Sequence, residues 1–120
     1  MNIKIVYMPK VSGEVLDSLA KELPAIISEV MEVAGGKLAI LKRDQVSLEF
    51  SQASTRDTGS DVRIMIFSRD IDTRKSCEHS QAQVILEKLV PLISKEDSSL
   101  SINIRIYFMD IRAAEHIAIS

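Results

Sequence analysis

The sequence is poor in the residues that announce a specialised chemistry. It has a single cysteine, Cys77, which excludes an intrachain disulfide and fits a reducing compartment. It has no tryptophan, and its other aromatics, Tyr7, Phe50, Phe67, Tyr107 and Phe108, are spread thinly along the chain. That leaves little for a base-stacking platform. The histidines, His79 and His116, have no cysteine or acid at ligand spacing, so no metal centre is expected. Neither a glycine-rich phosphate loop nor a nucleophile elbow is present, and no cofactor is expected. No apolar run approaches the ~20 residues that span a bilayer, and no charged-then-apolar leader opens the sequence. The expectation is a cytoplasmic protein. The formal net charge of −2 provides no field for nucleic acid or an anionic membrane. Lys37, Lys42 and Arg43 form too short a group to count as a basic stripe.

What is present is a chain of 120 residues, the size of one domain spanning 1–120. Apolar residues make up 46% and charged residues 27%, which places it among globular chains rather than disordered ones. The hydrophobic pattern then divides it into two similar halves, about 1–51 and 61–110, joined by a polar linker over 52–60 and followed by a tail, 111–120.

In the first half, residues 2–8 alternate, with Ile3, Ile5 and Tyr7 on one face, and Pro9 ends the strand. Ser12 is a candidate N-cap. Val15, Leu16, Leu19, Ala20, Leu23, Ile26, Ile27, Val30, Met31 and Ala34 then keep the spacing of one helical stripe, closed by Gly35 and Gly36. Pro24 falls inside this pattern and predicts a bend. Residues 45–51 form a second strand, with Val46, Leu48 and Phe50 inward.

The second half repeats the order. Residues 61–69 read as a strand with Val62, Ile64 and Ile66 on one face and Arg63, Met65 and Phe67 on the other. Asp70, Asp72 and Thr73 suit a helix start, and a helix is predicted from about 73 to 95, with Cys77, Ala82, Ile85, Leu86, Leu89 and Ile93 as its stripe. Residues 100–109 form the last strand. The predicted fold class is α+β, a two-layer sandwich: two successive β-α-β units give one mixed four-stranded sheet with two helices on one face. Val6, Met65, Phe67, Tyr107 and Met109 leave the other face partly apolar, so a partner subunit is expected there.

The last strand carries a resemblance. Ile104-Arg105-Ile106-Tyr107-Phe108-Met109-Asp110 resembles a strand of the 4-oxalocrotonate tautomerase family in which an arginine sits between β-branched residues and an acid follows. His116-Ile117-Ala118-Ile119 is similar to the His-apolar-Gly-Ile hairpin after that strand. The element order resembles the fused two-unit members of the tautomerase superfamily, whose fold it shares with macrophage migration inhibitory factor. Ile66-Phe67-Ser68-Arg69-Asp70 resembles a segment of an uncharacterised bacterial family with this fold. The resemblance implies a homotrimer with its site at strand ends between subunits, binding a small carboxylate or keto acid.

It also implies a change of chemistry. The family's general base is an amino-terminal proline, a secondary amine whose pKa an apolar site can lower. Here the sequence opens Met1-Asn2, with Asn2 where that proline would be exposed after methionine removal, and the nitrogen of Pro9 is an amide without basicity. The expectation is weak or no tautomerase activity, with the Met1 α-amino group as the base of any remnant proton transfer.

Each candidate has a plain structural reading beside the functional one. Arg105 forks onto a substrate carboxylate, or it is an outward strand arginine paired with an acid. Arg69, before a helix start, binds an anion or pairs with Asp70 or Asp72. Lys10 is a third candidate cation, or a solvated loop lysine. Cys77 reads as core, His79 as helix surface, and His116 as a tail residue able to reach a neighbouring subunit. Glu14 and Glu115 are not paired by any spacing. The alternative function is a regulatory or protein-interaction module of ferredoxin-like topology, which predicts a tight hairpin between the second and third strands. An RNA-binding module on that same order would need basic flanks that the acidic chain lacks.

Overall fold

The computed structural model describes residues 1–35, 46–69, 78–110, 112 and 114–118. The elements run β1 (Asn2–Tyr7), α1 (Gly13–Gly35), β2 (Ser47–Gln52), β3 (Val62–Arg69), α2 (Glu78–Glu96) and β4 (Ile102–Met109). The predicted start of the second helix, residues 73–77 with Cys77, lies outside the described residues.

One sheet holds the four strands found among the described residues, in the order β2-β1-β3-β4. Within each half the strands are parallel, β1 with β2 and β3 with β4, as a helical crossover requires. The halves join through the antiparallel pair β1–β3. The ferredoxin-like alternative fails here, because β1 lies between β2 and β3 and no hairpin joins them.

The helix-covered face follows directly from alternation. Ile3 and Ile5 of β1 and Val62, Ile64 and Ile66 of β3 are buried, in one core with Val15, Leu19, Leu23, Ile27 and Met31 of α1 and Ile85, Leu89 and Ile93 of α2. Each such side chain stabilises the fold by roughly 1.5–3 kcal/mol relative to exposure.

Helix α1 begins as its sequence predicts, with the Val15 N–H donating to Ser12 Oγ at 3.4 Å. It continues through Pro24 as a single element, and Pro91 likewise lies inside α2. A proline frees the carbonyl four residues earlier. Those residues, Ala20 and Glu87, are exposed, so water can reach the freed oxygens. The exposure of Ala20 corrects its placement in the apolar stripe. Among the described residues no helix is long and apolar enough to cross a membrane.

Candidate functional site

The face of the sheet turned away from α1 and α2, uncovered among the described residues, presents three cross-strand rows, read from β2 to β4. Ser51, Val6, Arg63 and Asn103 form one; Glu49, Lys4, Met65 and Arg105 form the next; Ser47, Asn2, Phe67 and Tyr107 form the third. The Phe67 and Tyr107 rings stack with centroids 5.2 Å apart and planes at 14°.

The register that creates these rows is pinned at the head of β3 and β4. Asp61 Oδ2 accepts from the Ser101 N–H at 2.9 Å and from its hydroxyl at 3.1 Å. The Asp61 N–H donates back to Ser101 Oγ at 3.0 Å, and the Val62 N–H donates to the Ser101 carbonyl at 3.0 Å. Lys10 Nζ lies 3.2 Å from Asp61 Oδ1. The Ser101 backbone N–H, foremost, holds the Asp61 carboxyl below its usual range; burial opposes it, and Lys10 and the Ser101 hydroxyl add to the lowering.

Beside this clasp a hollow of about 260 Å³ opens on the uncovered face, lined by Thr58, Gly59, Ser60, Arg63, Met65, Asn103, Arg105 and Tyr107. Gly59 has φ +134°, a conformation few side chains tolerate, and its missing Cβ would sit 3.2 Å from Arg63 Cδ. Glycine therefore lets the loop lie directly on the stem of Arg63. Among the described residues neither Arg63 nor Arg105 forms an ion pair, and the buried Arg63 Nε has no hydrogen-bond partner. Among the described residues no carboxylate lines the hollow.

The four site candidates from the sequence do not converge. Arg105 is exposed on β4 and lines the hollow. Lys10 is held by Asp61 near the heads of β3 and β4. Met1 and Arg69 sit at the far end of the sheet: Met1 precedes β1, its carbonyl accepting from the Ser47 N–H, while Arg69 ends β3 opposite Met109. His116 is exposed in the tail and touches nothing in the hollow. Sequence reasoning missed Arg63, Asn103 and the Thr58-Gly59-Ser60 lip. The signal available was the shared parity of Arg63 and Arg105 on paired strands, which becomes readable only once the two strands are known to be neighbours.

No family model matches the chain, and no curated protein does. Solved structures do. A malonate semialdehyde decarboxylase superposes with a TM-score of 0.60 at 10% identity, covering 92% of this chain and 85% of that one. A fused 4-OT described as a symmetric trimer gives 0.59 at 8% identity, over 98% and 95%. A domain of unknown function (DUF1904) from Sebaldella termitidis gives 0.54 at 17% identity, over 90% and 87%. Identities this low speak for the fold alone, and on that ground the chain has the fold of the tautomerase superfamily.

Proposed function

We propose that this chain binds a small carboxylate or keto acid on the uncovered face of its sheet, at the interface of a homotrimer, with weak or no tautomerase activity. The observation that carries the reading is Arg105: exposed, lining a hollow, and without an acid of its own among the described residues. A guanidinium left free in a concave site is suited to a bidentate grip on a carboxylate. The partly apolar face around it, with Tyr107 37% and Met109 41% exposed, favours cover by further copies of the chain. The fused 4-OT described as a symmetric trimer supplies a precedent for such cover in this fold.

In this reading Arg105 is the principal binding group. Arg69 is assigned a second, separate anion contact at the far end of the sheet, and Lys10 a peripheral one limited by its pairing with Asp61. The Met1 α-amino group is the base proposed for any residual proton transfer, since free α-amino groups as a class titrate at ~7.7–8.0.

Titration of the native protein with pyruvate tests the proposal. Arg105→Ala is expected to weaken binding by about ten-fold or more, and Arg105→Lys to restore part of it, since lysine keeps the charge without the fork. Equal affinity in wild type and Arg105→Ala overturns the reading. Native mass spectrometry of the same sample reads the trimer and, through the intact mass, whether Met1 is retained.

A further inference from the structure

We infer that the hollow takes a compact dianion, with Arg63 as a second cationic binding group facing the same ligand as Arg105. This rests on the proposed function in placing an anion at Arg105, and deepens it by naming the charge and size of the ligand.

The argument begins with register. Arg63 pairs with Asn103, and Met65 with Arg105, so the two arginines are diagonal neighbours on one face of adjacent strands. Long side chains in that relation reach a common point. Two cations so placed repel each other unless an anion lies between them. Among the described residues Lys10 is met by Asp61 and Lys88 by Glu29, while Lys4 and Lys95 have no ion pair. Among the described residues neither arginine of the hollow has one, and none of those lining it is a carboxylate that would oppose a doubly charged ligand.

Arg63 is also fixed in place. The loop carrying Gly59 lies against its stem, and its Nε is buried without a partner among the described residues. A buried donor left unpaired is costly, and an oxyanion in the hollow is a group that would satisfy it. The remaining polar groups suit the same guest. Thr58, Ser60, Asn103 and Tyr107 all line the space and offer hydroxyl or amide donors for oxygens that the guanidiniums do not reach. Because the two arginines are close neighbours, both negative charges of the ligand must lie near each other. A phosphoryl group or a malonate-type dicarboxylate meets that condition, whereas a single carboxylate leaves one arginine uncompensated.

Calorimetric titration of the full-length native protein at fixed ionic strength, with inorganic phosphate, malonate and pyruvate as probes, tests this. At least one dianion should bind about ten-fold or more tightly than pyruvate, through the extra charge-assisted bonds at Arg63. Preference for phosphate assigns a phosphoryl group, and preference for malonate a short dicarboxylate; either supports the inference. Arg63→Met keeps the aliphatic stem under Gly59, so the fold is expected to survive. It should abolish the preference for dianions, weakening the preferred dianion by about ten-fold or more and pyruvate by less. Equal affinity for dianions and pyruvate in wild type overturns the inference and leaves the carboxylate reading standing, as does a preference that Arg63→Met does not change. Binding of none of the probes overturns both.

Discussion

The two faces of this sheet are written by the same strands under opposite rules. On β3, Val62, Ile64 and Ile66 are fully buried against the helices, while Arg63, Met65 and Phe67, interleaved with them, face away. The covered face is specified by shape and by exclusion of water, so any one side chain matters through the space it fills. The uncovered face is specified by charge and register. Its arginines matter through what they leave unpaired. A fold can thus be shared by chains of very low identity while the uncovered face is free to change its ligand.

The sharpest way to break this comparison is to truncate neighbouring residues on the two faces. Ile64→Ala is expected to destabilise the protein by about 2–5 kcal/mol, because the cavity forms among packed core residues. Met65→Ala, one position along, should cost well under half of that, since it opens no enclosed space. Urea unfolding of both variants checks the difference. Equal losses would mean that the uncovered face is packed as tightly as the core, which in a trimer would place Met65 in the subunit interface.

How much of each face was legible in the sequence follows from the same contrast. Alternation over Val62–Phe67 and the stripe through Val15, Leu19, Leu23 and Ile27 identify the covered face, because burial acts on every second or every third-to-fourth residue and leaves a period. Element order and face assignment were therefore readable, and the resemblance carried by residues 104–110 pointed to the fold that the solved structures share. Gln81 was not readable: it stands one turn before Ile85, is 3% exposed, and neither side-chain amide atom has a partner among the described residues. A polar residue on a buried face breaks the period that would have revealed it. The hollow was legible only in part. Arg105 stood out beside its family-like neighbours, but Arg63 and Gly59 gain meaning from strand pairing and backbone geometry, which no local pattern encodes. Lys10 and Asp61 lie far apart in sequence and meet where the antiparallel β1–β3 pair ends, the Met8 N–H donating to the Asp61 carbonyl at 2.9 Å.

A smaller effect sharpens the comparison at the lip of the hollow. Gly59→Ala combines a strained φ with a new Cβ against Arg63 Cδ, and is expected to cost about 1–3 kcal/mol of stability. Because the strain falls on the loop over Arg63, dianion binding should weaken further than stability alone accounts for. The checks are the thermal midpoint and a phosphate titration of the same variant.

The smallest effect concerns the clasp that aligns the two faces, and its sign follows from ionisation. The Asp61 carboxyl is held below the ordinary aspartate range by the Ser101 backbone N–H above all. A group whose folded pKa is depressed stabilises the fold in full above its unfolded pKa, and that contribution is lost as pH falls through the folded value. Asp97, lowered by the Ser99 hydroxyl and N–H, acts in the same window. Stability should therefore be flat from pH 7 to about 5 and decline below about 4. Asp61→Asn should remove part of that decline while lowering stability at pH 7, because an amide keeps an oxygen for the Ser101 donors but loses the charge. Lys10→Ala should shift the pH 7 midpoint by no more than the ~1 kcal/mol of an exposed ion pair, leaving the acid decline largely intact because the principal cause of the depressed pKa is untouched. Urea midpoints at pH 7 and pH 3 for the three proteins separate these outcomes. A Lys10→Ala loss as large as that of Asp61→Asn would show that the ion pair, rather than the serine backbone, anchors the heads of β3 and β4.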